Sequence, residues 1–249
     1  MNFLSNRCAW RSAFSAFVVL SSIHGAQLAQ AQSSASCGDL SNAYGPYDFR
    51  TDKDKLPIVL GAHFKPEVEA LVRGTTSGTP GGDIDYTLRA IPNHPGALLA
   101  MIRLGVKEKS ERPRGVNYTV ECWLERALRF RPDDNLVRMI YANYLGERKR
   151  KVEALKHLEI AAATAADNPF THYNLGMIYA DLKEYSSALK HAHLAMGLGI
   201  RQTALSDKLK AAGQWQEMPA EPVTSSVPSA SDSGASGPAL PATEGQVSR

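Results

Sequence analysis

Residues 169–202 read PFTHYNLGMIYADLKEYSSALKHAHLAMGLGIRQ, and this stretch decides the fold because its pattern recurs in the residues just before it. Shifting residues 135–168 by 34 positions places them on 169–202, with small residues on small ones and large apolar residues on large ones. The matched pairs are Ala142 with Gly176, Leu145 with Tyr179, Ala154 with Ala188, Leu155 with Leu189, Ala161 with Ala195 and His157 with His191. A fixed period of this length is typical of stacked repeats, in which each unit packs on the next.

The repeated unit resembles the tetratricopeptide repeat (TPR), in which two helices form one unit. The resemblance is clearest in residues 169–202, where it is carried by Asn174-Leu175-Gly176, Tyr179, Ala188 and Ala195. In residues 135–168, Tyr141-Ala142 replaces Leu-Gly. Residues 95–134 are recognisable as a further repeat, with a longer connection between their two helices around Lys107 to Asn117.

Two more segments extend the resemblance. Asp83–Pro92 is similar to the second helix of a degenerate earlier repeat, and Thr203–Ala212 is similar to a capping helix that ends at Gly213. Solenoids need such a cap because the last repeat otherwise exposes its apolar face. The resemblance therefore implies an all-α fold over residues 83–217, a TPR-type α-α solenoid of about three repeats with a capping helix.

The N-terminal residues 1–31 have the pattern of a secretory signal peptide. Arg7 and Arg11 precede an apolar run from Ala13 to Ile23, and Ala29-Gln30-Ala31 matches the small-residue cleavage pattern. An uncleaved membrane anchor is the alternative, but the run is short and rich in serine. We therefore expect a periplasmic or secreted protein, cleaved near Ala31, with no integral membrane span after cleavage.

The remaining segments flank the repeats. Residues 32–82 are predicted to be an irregular N-terminal segment with one short helix, Pro66–Val72, followed by a glycine-rich loop over residues 74–82. Residues 218–249 are rich in Pro, Ser and Ala without large apolar clusters, so they are predicted to form a disordered tail.

Charge and cysteine content narrow the functional classes. The signal region contains two of the 28 basic residues and no acidic one, which leaves 26 basic against 25 acidic residues. This balance argues against nucleic-acid binding, which needs a dense basic face. Two cysteines remain after cleavage, Cys37 and Cys122, and in an oxidising compartment they are predicted to form a disulfide bond. The alternative is two separate small hydrophobic side chains in a core.

No recognised catalytic pattern is present in the sequence. It has no HExxH, GxSxG or CxxC motif, so we expect no enzyme activity and no cofactor. His157, His191 and His193 are the most suggestive cluster, but His191 and His193 lie about 200° apart around a helix. We therefore predict no metal site, and an enzyme that uses these histidines is the least supported interpretation.

The TPR resemblance implies that the first helix of each repeat lines a concave groove that binds a polypeptide. The expected groove positions are Leu99, Arg103, Met139, Asn143, Tyr173, Asn174, Met177 and Asp181, together with Lys208 in the cap. Asparagine side chains both donate to and accept from a peptide backbone. Asn143, Asn174 and Lys208 also match three places of the clamp with which some TPR proteins hold a C-terminal carboxylate, but Met139 and Ala204 replace two of its basic residues.

A second surface is predicted from the turns inside the repeats. Arg148, Lys149, Arg150 and Lys151 fall in one such turn, and stacked turns would form a basic edge. The first functional hypothesis is a non-catalytic adaptor or assembly factor that binds another protein or peptide in the groove. The alternative is an accessory subunit for envelope polysaccharide synthesis or export, which would bind an anionic envelope component through this edge.

Overall fold

The computed structural model describes residues 37–217, so the predictions for the signal peptide and for the tail lie outside the described residues. The described chain is all-helical, which confirms the predicted fold class, and it contains ten helices and no strand. The helices are α1 (Leu56–His63), α2 (Pro66–Glu69), α3 (Pro80–Ala90), α4 (Pro95–Glu108), α5 (Val120–Phe130), α6 (Asn135–Glu147), α7 (Lys151–Ala163), α8 (Pro169–Asp181), α9 (Tyr185–Gly197) and α10 (Ala204–Ala211).

The helices from α4 onward pack in sequential pairs. Helix α6 packs against α7 and α8 packs against α9, each pair being joined by three residues. Helices α4, α6, α8 and α10 also contact one another in that order, so they form a row of neighbours. The assignment of these pairs to TPR repeats stays a prediction.

The two short turns have the same backbone geometry. Lys149 and Lys183 lie 34 positions apart, and both adopt the left-handed conformation, with φ of 63° and 61°. In each turn the residue that follows the lysine donates its N–H to a carbonyl of the preceding helix. Arg150 donates to Leu145 in one turn, and Glu184 donates to Tyr179 in the other. This is the hydrogen-bond pattern of a Schellman helix end, which turns the chain sharply back.

Small residues allow the paired helices to approach closely. Ala142, Ala154, Ala161 and Ala188 are fully buried, and they occupy the positions that the period predicted to be small. At Gly176 an added Cβ would lie 2.4 Å from Cδ2 of Leu205 on α10, so the row of helices is tight there too. The largest buried side chains of the same core include Trp123, Met101 and Tyr144.

The N-terminal segment is more helical than the sequence predicts. Helix α1 was not expected; it packs on α3, with Leu56 and Val59 buried against Ala90 and Ile91. Helix α2 ends at Glu69 rather than at residue 72, and Leu71 turns the chain with a φ of 58°.

Helix α3 begins earlier than expected, inside the glycine-rich stretch that was predicted to be a loop. The Thr79 hydroxyl accepts a hydrogen bond from Gly82 N, and Pro80 follows at the first helical position. This combination of cap and proline starts a helix even where glycines lower its intrinsic propensity.

The predicted disulfide bond is present and joins Cys37 to Cys122 on α5, with a sulfur–sulfur distance of 2.04 Å. The wholly buried Arg126 lies over the rings of Tyr118 and Trp123 and donates to the carbonyls of Cys37 and Asp39. Covalent and polar contacts therefore attach the start of the described chain to α5.

Gly81 is a sensitive position in this arrangement. A Cβ added there would lie 2.1 Å from the carbonyl oxygen of Arg114, a backbone atom in the connection between α4 and α5. We expect Gly81→Ala to lower the free energy of unfolding by about 2 kcal/mol, because the two backbones must separate. Urea denaturation measures this change.

Gly61→Ala is the matched control for this prediction. Gly61 lies within α1, and an added Cβ there meets no atom within 4 Å. Alanine should therefore leave stability unchanged or raise it by up to about 1 kcal/mol, through its better helix propensity. Equal effects of the two substitutions would contradict the close approach at Gly81.

Candidate functional site

Large apolar side chains are exposed along the row formed by α4, α6 and α8. Leu99, Leu136 and Phe170 are 41%, 45% and 62% exposed, and each lies in the first half of its helix. Leu136 and Phe170 are 34 positions apart, so they occupy equivalent places on two helices that contact each other. Exposed apolar residues that repeat in this way are a common feature of interaction surfaces.

The same two helices enclose a cavity near their C-terminal ends. It has a volume of about 320 Å³ and is lined by Asn143, Gly146, Glu147, Ile178, Asp181 and Leu182. The side-chain amide of Asn143 donates to Oε1 of Glu147 at 2.9 Å. The ammonium group of Lys208, on α10, forms an ion pair with Asp181. Two of the predicted groove residues, Asn143 and Asp181, therefore line one cavity, and a third, Lys208, is ion-paired with Asp181.

The structure does not bring the other predicted groove residues to this cavity. Met139 is only 3% exposed and belongs to the core, so it is not available to a partner; burial of this position could not be read from the repeat spacing. Arg103 donates to the carbonyl of Glu69 on α2 instead. Tyr173 and Met177 are half-buried and pack on the core, and Asn174 is half-buried and does not line the cavity.

The charge of the cavity differs from that of a carboxylate clamp. Glu147 and Asp181 contribute two carboxylates, and Lys208 contributes one ammonium group, so the set has a formal net charge of −1. An incoming carboxylate would meet like charges here. The sequence interpretation missed Glu147, although it lies four residues after Asn143 and hence on the same helix face.

The predicted basic edge is largely neutralised by the protein itself. Arg148 lies 3.6 Å from the ring centroid of Tyr144 and 3.3 Å from Glu111. The guanidinium group of Arg150 contacts Glu121 and Glu153, each at 2.7 Å. Lys151 pairs with Glu184 at 2.6 Å. Three of the four basic side chains therefore already have carboxylate partners, which reduces the attraction for an external anion.

The three histidines considered for a metal do not converge. His191 hydrogen-bonds His172, His157 packs on the ring of Tyr141, and Nε2 of His193 lies 2.8 Å from the carbonyl of Gln216.

Within residues 37–217, the group whose donor atoms lie close enough for a metal is Cys37, Cys122 and Glu125. Its two sulfurs are joined in the disulfide bond, so they are not thiolate ligands.

Comparison with known proteins does not assign this chain to a family. No family model matches it, and neither a curated protein nor a solved structure shows a significant match. Among the described residues, every helix is too short or too polar to cross a bilayer.

Proposed function

We propose that this protein is a non-catalytic, TPR-type interaction module, an adaptor or assembly factor that binds a polypeptide along the row α4, α6 and α8. The cavity between α6 and α8 receives a lysine or arginine side chain of the partner. The observation that carries this proposal is the cavity itself, which combines an apolar wall with carboxylates at Glu147 and Asp181.

Both the aliphatic stem and the charged end of a basic side chain suit this cavity. Its aliphatic stem packs on Ile178 and Leu182, since lysine and arginine bury their methylene groups while the charged end stays polar. Its charged end is placed to meet Glu147, whose carboxylate already accepts a hydrogen bond from Asn143. Asp181 is already paired with Lys208, so Glu147 is the carboxylate that meets the partner's charged end.

The partner also needs apolar residues several positions away from its basic one, because the exposed apolar residues lie at the opposite ends of the helices from the cavity. Leu136 and Phe170 are exposed on the same two helices that form the cavity. Exposed aromatic and aliphatic side chains of this kind act as anchors at interfaces, where they lose contact with water. A partner segment with one basic and one or two large apolar residues therefore fits the surface. The Cys37–Cys122 disulfide is in keeping with an exported location for this interaction.

A randomised peptide library selected on the protein tests the proposal. We expect enriched peptides to contain lysine or arginine and, several positions away, large apolar residues. For such a peptide, Glu147→Gln should weaken binding by about tenfold, because one charge-assisted hydrogen bond is lost. Fluorescence anisotropy measures the affinity. Replacing the basic peptide residue by glutamine should give the same loss, and combining both changes should add little.

Glu159→Gln is the matched control, since Glu159 is exposed on α7 and does not line the cavity. It should leave peptide affinity unchanged. Selection of acidic peptides, or unaltered affinity in Glu147→Gln, would rule out recognition of a basic side chain at the cavity.

A further inference from the structure

A second cleft lies in the N-terminal part of the described chain, on different helices from the proposed peptide surface. Its volume is about 240 Å³, and it is lined by Tyr44, Ile58, Val59, Ala62, His63 and Tyr86. Helix α1 supplies four of these residues and α3 supplies Tyr86. The walls are aromatic and aliphatic, and His63 is the only lining residue with an imidazole group.

His63 is held in one orientation by a buried carboxylate. Its Nδ1 lies 2.8 Å from Oδ1 of Asp83, which is completely buried. Asp83 also accepts hydrogen bonds from the backbone N–H groups of Thr75 and Ser77. Burial alone would raise the pKa of Asp83, but these hydrogen bonds and the one from His63 hold it below its usual value. Asp83 is therefore ionised, and Nδ1 of His63 carries the proton that it donates.

This arrangement determines the chemistry of the other ring nitrogen. In the form of the imidazole that has its one proton on Nδ1, the lone pair is on Nε2. Nε2 has no hydrogen-bond partner among residues 37–217, although His63 as a whole is only 9% exposed. The ring stacks on Tyr86, with 4.0 Å between the ring centroids. The cleft thus combines apolar walls with one oriented, unpaired hydrogen-bond acceptor.

The geometry points to a binding site for a small aromatic molecule that carries one N–H or O–H group, of the indole or phenol type. The flat ring packs between Tyr44, Tyr86 and the aliphatic side chains, and its N–H or O–H group donates to Nε2 of His63. The ring of Tyr44 is itself anchored, because its hydroxyl donates to the carbonyl of Lys55 at 3.1 Å. A volume of about 240 Å³ suits a ligand of one or two rings.

A purely structural role of His63 makes a different prediction. The His63–Asp83 contact ties α1 to the loop at residues 75–77, and Thr75 and Thr76 add hydrogen bonds to the carbonyl of Ala62. Such a role requires only the donor at Nδ1. An asparagine at position 63 keeps a donor at nearly the same place and lacks Nε2, so His63→Asn separates the two roles.

The test is an NMR titration of the full chain with indole and with 1-methylindole, which has the same ring system without the N–H group. We expect indole to shift the backbone amide signals of Ala62, His63 and Tyr86, and to bind about tenfold more tightly than 1-methylindole. In His63→Asn, indole should lose this advantage of about tenfold while the urea midpoint stays that of the wild type.

A second variant, at an exposed residue that lines the cleft, keeps the test decisive if His63→Asn fails to fold. Ile58 is 66% exposed and lines the cleft, so Ile58→Ser should spare the fold and weaken indole and 1-methylindole equally. Equal affinity of the wild type for the two compounds would overturn the role of Nε2. Absence of any shift at the cleft residues with millimolar indole would overturn the site as a whole.

Discussion

Loss of the Cys37–Cys122 disulfide bond should lower the free energy of unfolding by about 4 kcal/mol. The bond closes a loop across 85 positions of sequence, which restricts the unfolded chain far more than the folded one. Urea denaturation of Cys37→Ser, Cys122→Ser and the double variant measures the change. The three variants should be equally destabilised, because each removes the same cross-link, and the wild type treated with a reductant should match them.

Polar contacts determine how much structure survives this loss. Arg126 donates to the carbonyls of Cys37 and Asp39, so the start of the described chain keeps a second attachment to α5. Farther along, Asn93 donates to both Asp48 and Asp134 in a buried network. We therefore expect the reduced protein to remain folded at neutral pH. A decrease in the free energy of unfolding of less than about 1 kcal/mol would contradict the entropic role of the bond.

Stability should fall between pH 7.5 and pH 5, by about 2 kcal/mol for each of two buried histidines. Burial lowers the pKa of His94 and that of His191 from 6.5 to about 4. Between these values the unfolded chain binds protons that the folded chain does not, so the free energy of unfolding decreases as the pH falls. The contribution is complete above pH 6.5 and is lost by about pH 4.

Each of the two histidines has a structural reason to stay neutral. Nδ1 of His94 accepts a hydrogen bond from Ala97 N and caps α4, and the ring of His94 contacts the rings of Phe49 and Phe64. Protonation of Nδ1 would break this cap and would place a positive charge at a helix N-terminus.

His191 is part of a buried histidine pair. Nε2 of His172 donates to the carbonyl of Ala166, so its Nδ1 accepts a hydrogen bond from Nδ1 of His191 at 3.0 Å. The ring of His191 also stacks on Tyr179. A second proton on His191 would charge a site between α8 and α9 that is shielded from water.

Urea denaturation at a series of pH values tests this prediction, with His94→Asn and His191→Asn as matched variants. Asparagine preserves an N-cap acceptor at position 94 and a donor at position 191, but it does not titrate. Each variant should remove about 2 kcal/mol of the decrease between pH 7.5 and pH 5. Burial also lowers the pKa of His157, so this residue adds to the decrease in the wild type and in both variants. The carboxylates with lowered pKa, Asp48 and Asp83, lose their contribution only at more acidic pH, so they leave this interval unaffected. An unchanged pH dependence in both variants would refute the assignment.

The sequence by itself determined the helical architecture from residue 95 onward. Alanines that recur every 34 residues, such as Ala154 and Ala188, are fully buried where paired helices meet. The periodic signal is strong because positions 34 residues apart meet the same packing requirement. The sequence also predicted the pairing of Cys37 with Cys122, on the expectation that the signal peptide with Cys8 is removed and that the compartment is oxidising.

Only the tertiary structure decided the details of the sites. The spacing placed Met139 in the groove, but neighbouring helices bury it, and the structure adds Glu147 to the cavity that Asn143 lines. The contact between His63 and Asp83 joins a helix that the sequence did not predict to one that begins in a glycine-rich stretch. Periodicity specifies which face of a helix is apolar, whereas burial and charge at one point depend on side chains from several helices. Those side chains meet only when the chain has folded, which is why the sequence determined the architecture and the tertiary structure decided the sites.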